Sequence, residues 1–350
     1  MNTKMKTFSW NDIKNSDGLT LFPQGTGISV GCFDGIHLGH RTLLKVLVDE
    51  CAVRKLTPLI ITFSKPLPGI KHTEDYMGDL CTLSHRLELF EQLGINNVVI
   101  VDFDEDFAHI PGTEFLLMLK KCCNMRFIAE GIDFRCGYKG ATDNQAIRYF
   151  CQQNDVGLQF VNPVYFREGT DEEERVSSSF IRQMIQKGFF LTVNELLARP
   201  YELRLEMNVA VQDTGTATGS GVGVGNDTGS AEGDLFSGIE TGVEAGAVGA
   251  ETGVATGSAG VAIGPVGTTT GSVGTEFSVA TGSTSVSTGS SGGKENLTFN
   301  RADIKQVLPA VGIYHCRNKK DDDVRLEITT DSVIVYDVTG PEDLSLRFSS

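Results

Sequence analysis

The sequence predicts an α/β domain built on a parallel sheet, followed by a low-complexity insert and a short all-β segment. Three observations carry this. Short apolar runs alternate with helix-periodic stretches up to Tyr201, a glycine- and histidine-rich stretch sits at one of these junctions, and the composition changes abruptly after Leu205.

Residues 8–22 read as a strand and a turn around Asn15-Ser16-Asp17-Gly18, with Trp10 as a packing residue. The apolar run Gly27-Ile28-Ser29-Val30 leads into residues 31–40. Leu43, Leu44, Val46 and Leu47 then recur at helical spacing, which predicts a helix from Leu38 to Lys55. Leu59 to Phe63 is a buried strand, and residues 64–79 form an irregular connection of the length at which loops tend to be functional. Thr82 or Ser84 caps the next helix (Leu83, Leu87, Phe90, Leu93), and Gly94 stops it. Asn97 to Val101 is a strand, Pro111-Gly112-Thr113-Glu114 opens a helix, and Met125 to Ala129 is a strand followed by the loop 131–137. A helix over 143–153 and a strand over 158–161 complete the alternation. At βαβ spacing this implies a parallel sheet covered on both faces. Ligands of such sheets gather at the carboxyl ends of the strands, near a topological switch point. The loops 31–40, 64–79 and 131–137 all leave strands at that edge.

Ser177, Ser178 and Ser179 open a further helix, with Arg182 one turn in, in the manner of an N-cap aimed at a phosphate or of an ordinary serine cap. A second short helix ends at Leu196-Leu197-Ala198-Arg199-Pro200-Tyr201. From about Met207 to Gly293, Gly, Thr, Ser, Ala and Val dominate, a composition that cannot bury enough apolar surface to offset chain entropy and predicts disorder. Order is expected again near Asn296, with about four strands before the end of the chain. Fewer than sixty residues of that kind make a marginal domain unless they pack on something. The expected organisation is residues 1–202, 203–295 and 296–350.

The net charge of −15 argues against general nucleic-acid binding, which needs basic patches. Much of this acidity is local: no Lys or Arg occurs from Leu205 to Gly293, while Glu206, Asp213, Asp227, Glu232, Asp234, Glu240, Glu244, Glu251 and Glu276 do. The eight cysteines are scattered without a C-x-x-C pair, as expected of reduced thiols in a cytoplasmic protein. No apolar run is long enough to span a bilayer, so no membrane partner is expected. Oligomeric state is not legible.

The chemistry concentrates in Gly31-Cys32-Phe33-Asp34-Gly35-Ile36-His37-Leu38-Gly39-His40. At a strand end and helix start, backbone N–H groups are free to hold an anion. Gly35 and Gly39 allow close approach, and His37 and His40 share a face of the first helical turn. The combination suits a triphosphate. Zinc ligation is the rival reading of the two histidines, without a third ligand at finger-like spacing, and plain helix capping is the other.

Residues 31–40 resemble the G-x-F-D-x-x-H-x-G-H motif of the nucleotidyltransferase superfamily, and Val176-Ser177-Ser178-Ser179-Phe180-Ile181-Arg182 resembles its I-S-S-T-x-I-R motif. Gly131-Ile132-Asp133-Phe134-Arg135-Cys136-Gly137 is similar to G-x-D-F-R-F-G, Thr82 to Leu87 to T-L-x-x-R-L, and Leu196 to Tyr201 to L-L-G-R-P-Y. In this order they resemble the bacterial FAD synthetases, which join an FMN adenylyltransferase module to a riboflavin kinase barrel. The resemblance implies a Rossmann-like nucleotidyltransferase domain that makes FAD and pyrophosphate from FMN and ATP with Mg²⁺. It implies catalytic His37, His40 and Arg182. The ATP contacts it implies are Gly31, Phe33, Asp34, Gly35, Gly39, Asp133, Arg135, Ser178 and Ser179, and Phe63 and Ser64 fall near the flavin. No protein metal ligand is expected. Cys32 stands where the family commonly has asparagine, and Thr62 to Leu67 lacks the histidine of the family's T-F-x-P-H-P. The kinase motif G-F-P-T-A-N is absent after Tyr201, although Leu308 to Tyr314 resembles the barrel's L-P-x-x-G-V-Y. A degenerate barrel without kinase activity is therefore expected. The rivals are a related transferase with another phosphate acceptor and a non-catalytic flavin- or nucleotide-binding protein.

Overall fold

A computed structural model describes residues 4–65, 76–205, 286–291, 294–340 and 344–348, all within one compact unit. The chain opens with strand β1 (Lys6–Ser9) and two short helices, α1 (Trp10–Lys14) and α2 (Gly18–Leu21). The sequence reading expected only a strand and a turn here. Ser9 and Asp12 close a capping box on α1, and Asp17 caps α2, so side chains satisfy the orphan N–H groups of both helices. Trp10 is buried edge-on against Phe107.

Then follow β2 (Thr26–Val30), α3 (Leu38–Arg54), β3 (Thr57–Phe63), α4 (Leu83–Gln92), β4 (Asn97–Val101), α5 (Glu105–Ala108), α6 (Gly112–Cys122), β5 (Met125–Gly131), α7 (Asn144–Gln153) and β6 (Gly157–Val161). Six strands form a parallel sheet in the order β1-β4-β3-β2-β5-β6. The chain winds outward from β2 through β3 and β4, then returns to place β5 on the other side of β2. The switch point thus lies between β2 and β5, directly under residues 31–40. Every residue of β2 is buried, as expected of a central parallel strand. One apolar cluster covers each face of the sheet, one around Leu116, Ile128 and Ile147 and the other around Leu44, Phe90 and Phe127.

A small hairpin, β7 (Tyr165–Phe166) and β8 (Glu174–Arg175), precedes α8 (Ser178–Gln186), α9 (Phe190–Leu197) and β9 (Tyr201–Arg204). The remaining strands are β10 (Val286–Ser291), β11 (Lys294–Asn300), β12 (Gly312–Arg317), β13 (Asp323–Ile328), β14 (Ser332–Val338) and β15 (Ser345–Phe348). They make a seven-stranded antiparallel sheet, β10-β11-β14-β13-β12-β15-β9.

The fold is therefore a Rossmann-like parallel-sheet domain followed by a half-barrel sheet. Two particulars differ from expectation. Residues 286–291, assigned from composition to the disordered insert, pair as a strand with β11. Their backbone groups find partners on a strand already templated by β14, so pairing offsets the weak side-chain propensity. The rest of the insert, residues 206–285 together with 292 and 293, lies outside the described residues. Second, β9, from before the insert, hydrogen-bonds along β15 and so lies in the second sheet rather than closing the first domain at residue 202.

The second sheet is not left to support itself. Phe190 of α9 stacks on Phe348 at 4.4 Å, and both meet Tyr201, so α8 and α9 share one core with the strands. Each such fully buried side chain contributes about 1.5–3 kcal/mol. Among the described residues, no helix is long and apolar enough to cross a membrane.

Candidate active site

The loop after β2 is conformationally strained. Phe33, Gly35 and Ile36 all have left-handed backbone, with φ of 49°, 77° and 40°. For a β-branched residue such as Ile36 this costs about 1–2 kcal/mol, and such strain persists only where surrounding contacts over-determine it. Here they do. A buried arginine, Arg86 of α4, donates from Nη1 to the carbonyls of Cys32 (2.7 Å) and Phe63 (3.1 Å) and to Thr62 Oγ1 (3.2 Å). Arg199, after α9, donates from Nη2 to the carbonyl of Gly35 at 2.8 Å. A side chain at Gly35 is excluded twice, by its φ and by Leu80, whose Cβ lies 2.9 Å from where a Cβ would stand. Leu80 of the chain itself makes a close approach to Gly35.

Asp34 is the hub. Its carboxylate accepts from Leu80 N–H (2.9 and 3.0 Å) and Cys81 N–H (3.2 Å), and it pairs with Arg182 Nη2. Its carbonyl accepts from Ser178 Oγ at 3.1 Å. Arg182 also donates from Nε to the carbonyl of Gly78 at 2.7 Å and lies over the Tyr76 ring. Asp34 and Arg182 thus hold each other in place, through Nη2 and with Nε on Gly78. The structure makes Asp34 the anchor of this corner.

His37 is the N-cap of α3, and its Nδ1 accepts from His40 N–H at 3.4 Å. Accepting there assigns the ring proton to Nε2. The two imidazoles stack at 3.7 Å with planes 17° apart. Burial, reinforced by Arg199, Arg175 and Arg182, pushes His37 down to about 3, and burial followed by His37 and Arg86 holds His40 well below its ordinary value. Both rings are neutral near pH 7. His40 Nδ1 is buried with no hydrogen-bond partner, and so is Arg41 Nε one residue on. Buried polar atoms without a partner are rare in folded proteins, and two of them lie at neighbouring residues here.

The remaining candidates fall into three groups. Gly31 and Gly39 lie where a Cβ would stand 3.2 Å from the Phe33 ring and 3.3 Å from the His37 ring, and Phe33 itself is buried against Phe90 and His40. Ser178 and Ser179 open α8 behind its cap Ser177, with Ser179 exposed. Asp133 and Arg135 are on the neighbouring loop after β5 and line a cavity of about 340 Å³ with Ile132, Phe134, Asp143, Asn144 and Gln145. Asp133 pairs with Arg175 at 2.6 Å, which ties this loop toward His37, while Arg135 turns to the carbonyl of Gly140 at 2.7 Å. On the other side, Phe63 is buried edge-on to Phe103 and Phe107, and Ser64 Oγ donates to Asp102. Sequence reasoning missed Arg86, Arg199 and the Leu80–Cys81 amides. The two arginines lie inside T-L-S-H-R-L and L-L-A-R-P-Y, which it used as family markers without assigning them contacts. Among the described residues, no three His, Cys, Asp or Glu side chains gather as a metal site.

A parallel sheet with a strained loop, two neutral histidines and converging arginines at its switch point defines an α/β nucleotidyltransferase domain. The family model for FAD synthetase matches residues 20–180. The chain is 30% identical over 185 residues to a putative bifunctional riboflavin kinase/FMN adenylyltransferase of Geobacillus thermodenitrificans, covering 53% of this chain and 95% of that protein. It is 27% identical over 174 residues to the FAD synthetase of Listeria monocytogenes, covering 50% of this chain and 69% of that protein. Against the bifunctional riboflavin kinase/FMN adenylyltransferase of Escherichia coli K12 it is 28% identical over 193 residues, 55% of this chain and 60% of that protein. The match thus spans between three-fifths and nearly all of these relatives' lengths. A crystal structure of a Streptococcus pneumoniae protein described as a macrolide-efflux protein superposes with a TM-score of 0.58 at 16% identity, over 98% of this chain and 89% of that one, a likeness of fold alone. The chain belongs to the FAD synthetase family.

Proposed function

We propose that the protein transfers AMP from ATP to FMN, releasing pyrophosphate and forming FAD. The observation that carries this reading is the stacked His37–His40 pair, neutral and ringed by arginines, at the switch point between β2 and β5. The attacking group is an FMN phosphate oxygen, already ionised near pH 7, so no strong general base is needed. What the site must do is align two anions and neutralise charge on the transferring phosphoryl and the departing pyrophosphate. His37 Nε2–H is a neutral donor for a phosphate oxygen, and donors held ready in a buried site cost no reorganisation during the reaction. His40 Nδ1 finds its partner there. Ser178, Ser179 and the α8 N-terminus receive the outer phosphates, with Arg182 held in place by Asp34 and Gly78. Mg²⁺ comes as part of the substrate, on the triphosphate oxygens, since such ions sit on one or two carboxylates plus phosphates rather than in an all-protein cage. Asp133 and Arg135 line the adenosine side, and Phe63 and Ser64 the flavin side.

We further propose that riboflavin kinase activity is lost, because the G-F-P-T-A-N motif is absent after Tyr201. One assay tests both statements. Purified protein with Mg²⁺ and ATP is offered FMN, riboflavin, nicotinamide mononucleotide or pantetheine phosphate, and products are identified by mass. FAD from FMN alone is expected. FMN formed from riboflavin overturns the kinase statement, and adenylylation of another acceptor in place of FMN overturns the substrate.

A further inference from the structure

Residues 77–81 form a strap between the nucleotide-site motif and the second sheet, and the segment 305–307, just before β12, holds that strap down. Asp79 N–H donates to the carbonyl of Lys305 (2.8 Å), and Val307 N–H donates to the carbonyl of Asp79 (2.9 Å). Gly78, with φ of 106°, lies so close that a Cβ there would stand 2.7 Å from Val307 N and 2.8 Å from the Lys305 carbonyl oxygen. At the centre is Gln306, 4% exposed. Its Nε2 donates to the carbonyls of Glu202 (3.0 Å) and Leu80 (3.4 Å), and its Oε1 accepts from Arg204 N–H (2.8 Å). Tyr201 Oη fixes the Val307 carbonyl at 2.7 Å. The other side of the same strap supplies the backbone groups that bond the Asp34 and Arg182 side chains: Leu80 and Cys81 N–H to Asp34, and the Gly78 carbonyl to Arg182.

We propose that Gln306 is a positioning residue for the nucleotide site. Through the strap it sets where Asp34 and Arg182 stand, so the second sheet is a working part of the adenylyltransferase half. Asp34 holds Arg182 while the Leu80 and Cys81 amides hold Asp34, and the strap that carries those amides is bonded on its outer side to residues 305–307. The inference rests on residues 31–40 and 182 forming a nucleotide site, but not on the identity of the acceptor.

The test measures binding of α,β-methylene ATP to the full chain by calorimetry, beside the kcat and KM of adenylylation. Gln306→Ala and the volume-conserving Gln306→Met are compared with Phe299→Leu, which loosens the same apolar core without removing a hydrogen bond of the strap. The Gln306 variants are expected to weaken analogue binding by roughly tenfold, within the ordinary range of coupling between sites, and to raise KM for ATP. Phe299→Leu should leave both within about twofold at a comparable loss of Tm. Affinity that tracks Tm across all three variants, or is unchanged in the Gln306 pair, overturns the proposal. Hydrogen exchange on the wild type decides the matter even if the variants do not fold: peptides 76–82 and 304–309 should open together, and independent opening overturns it. Analogue binding without FAD formation would instead fault the proposed acceptor and leave this inference standing.

Discussion

Replacing Asp34 by asparagine should cost the protein about 3 kcal/mol, although it removes only a charge and preserves shape. The carboxylate serves four donors, the N–H groups of Leu80 and Cys81, Nη2 of Arg182 and, more weakly, the Cys81 thiol. An asparagine offers one oxygen, and its NH₂ must then face either the guanidinium or the two amides. Whichever way it turns, at least one donor loses its acceptor. The Asp34 and Arg182 side chains are 10% and 13% exposed, so water can replace little of what is lost. Breaking a buried pair by removing one partner costs about 3–5 kcal/mol, and the residual exposure argues for the lower end. At about 2–4 °C per kcal/mol, Tm should fall by roughly 6–12 °C. Urea unfolding followed by Trp10, the chain's one tryptophan, reads the change directly. Arg182→Met provides the second arm of a double-mutant cycle with an expected coupling of about 2 kcal/mol. Additive losses, or an Asp34→Asn protein within about 2 °C of wild type, would refute Asp34 as the anchor of the corner.

His40→Ala should lower kcat about 10²–10³-fold, the usual loss of one donor at a developing charge, with a much smaller change in KM for ATP; an unchanged kcat removes His40 from the reaction. The same histidines shape the acid limb of stability. Folded His37 takes a proton only near 3 and His40 well below 6.5, whereas the unfolded chain binds both protons near 6.5. Stability is therefore intact above 6.5 and is lost as pH falls toward 3, by up to about 1.4 kcal/mol per pH unit for each ring. His37→Gln should flatten part of that slope, measured as urea midpoints from pH 7 to 4, and an unaltered slope counts against burial of a neutral ring. Glu130 acts in the opposite sense. It is buried, accepts from Val30 N–H at 2.6 Å, and burial raises it well above the carboxylate range, so the folded state keeps a proton that the unfolded state releases above about 4.3. Its contribution falls as pH rises, and Glu130→Gln should gain on wild type by up to about 1.4 kcal/mol per pH unit as pH rises above about 4.3. A difference independent of pH would mean Glu130 is ionised in the fold.

What the sequence determined by itself was local. Helix starts at Thr82, Pro111, Asp143 and Ser177 follow from a cap or turn residue next to an apolar period, and the strands at 59–63, 97–101 and 125–129 from apolar runs bounded by polar residues, with β3 and β5 each two residues longer in the fold. The kind of site was legible too, because a strand end, three glycines and two histidines lie within ten residues, and family membership followed from motifs of the same length. The tertiary structure decided how those residues are used. The partners of Asp34 come from positions 80, 81 and 182, and the arginines that hold its loop come from 86 and 199, contacts between residues 46 to 164 positions apart that no window of sequence displays. The pairing of β9 with β15 is decided in the same way, by backbone groups meeting a template across the insert, where side-chain composition says little. Periodicity and capping are written in adjacent residues. Whether a charged side chain faces a ligand or the protein depends on which distant donors the fold brings to it, and at Asp34 the fold brings its own.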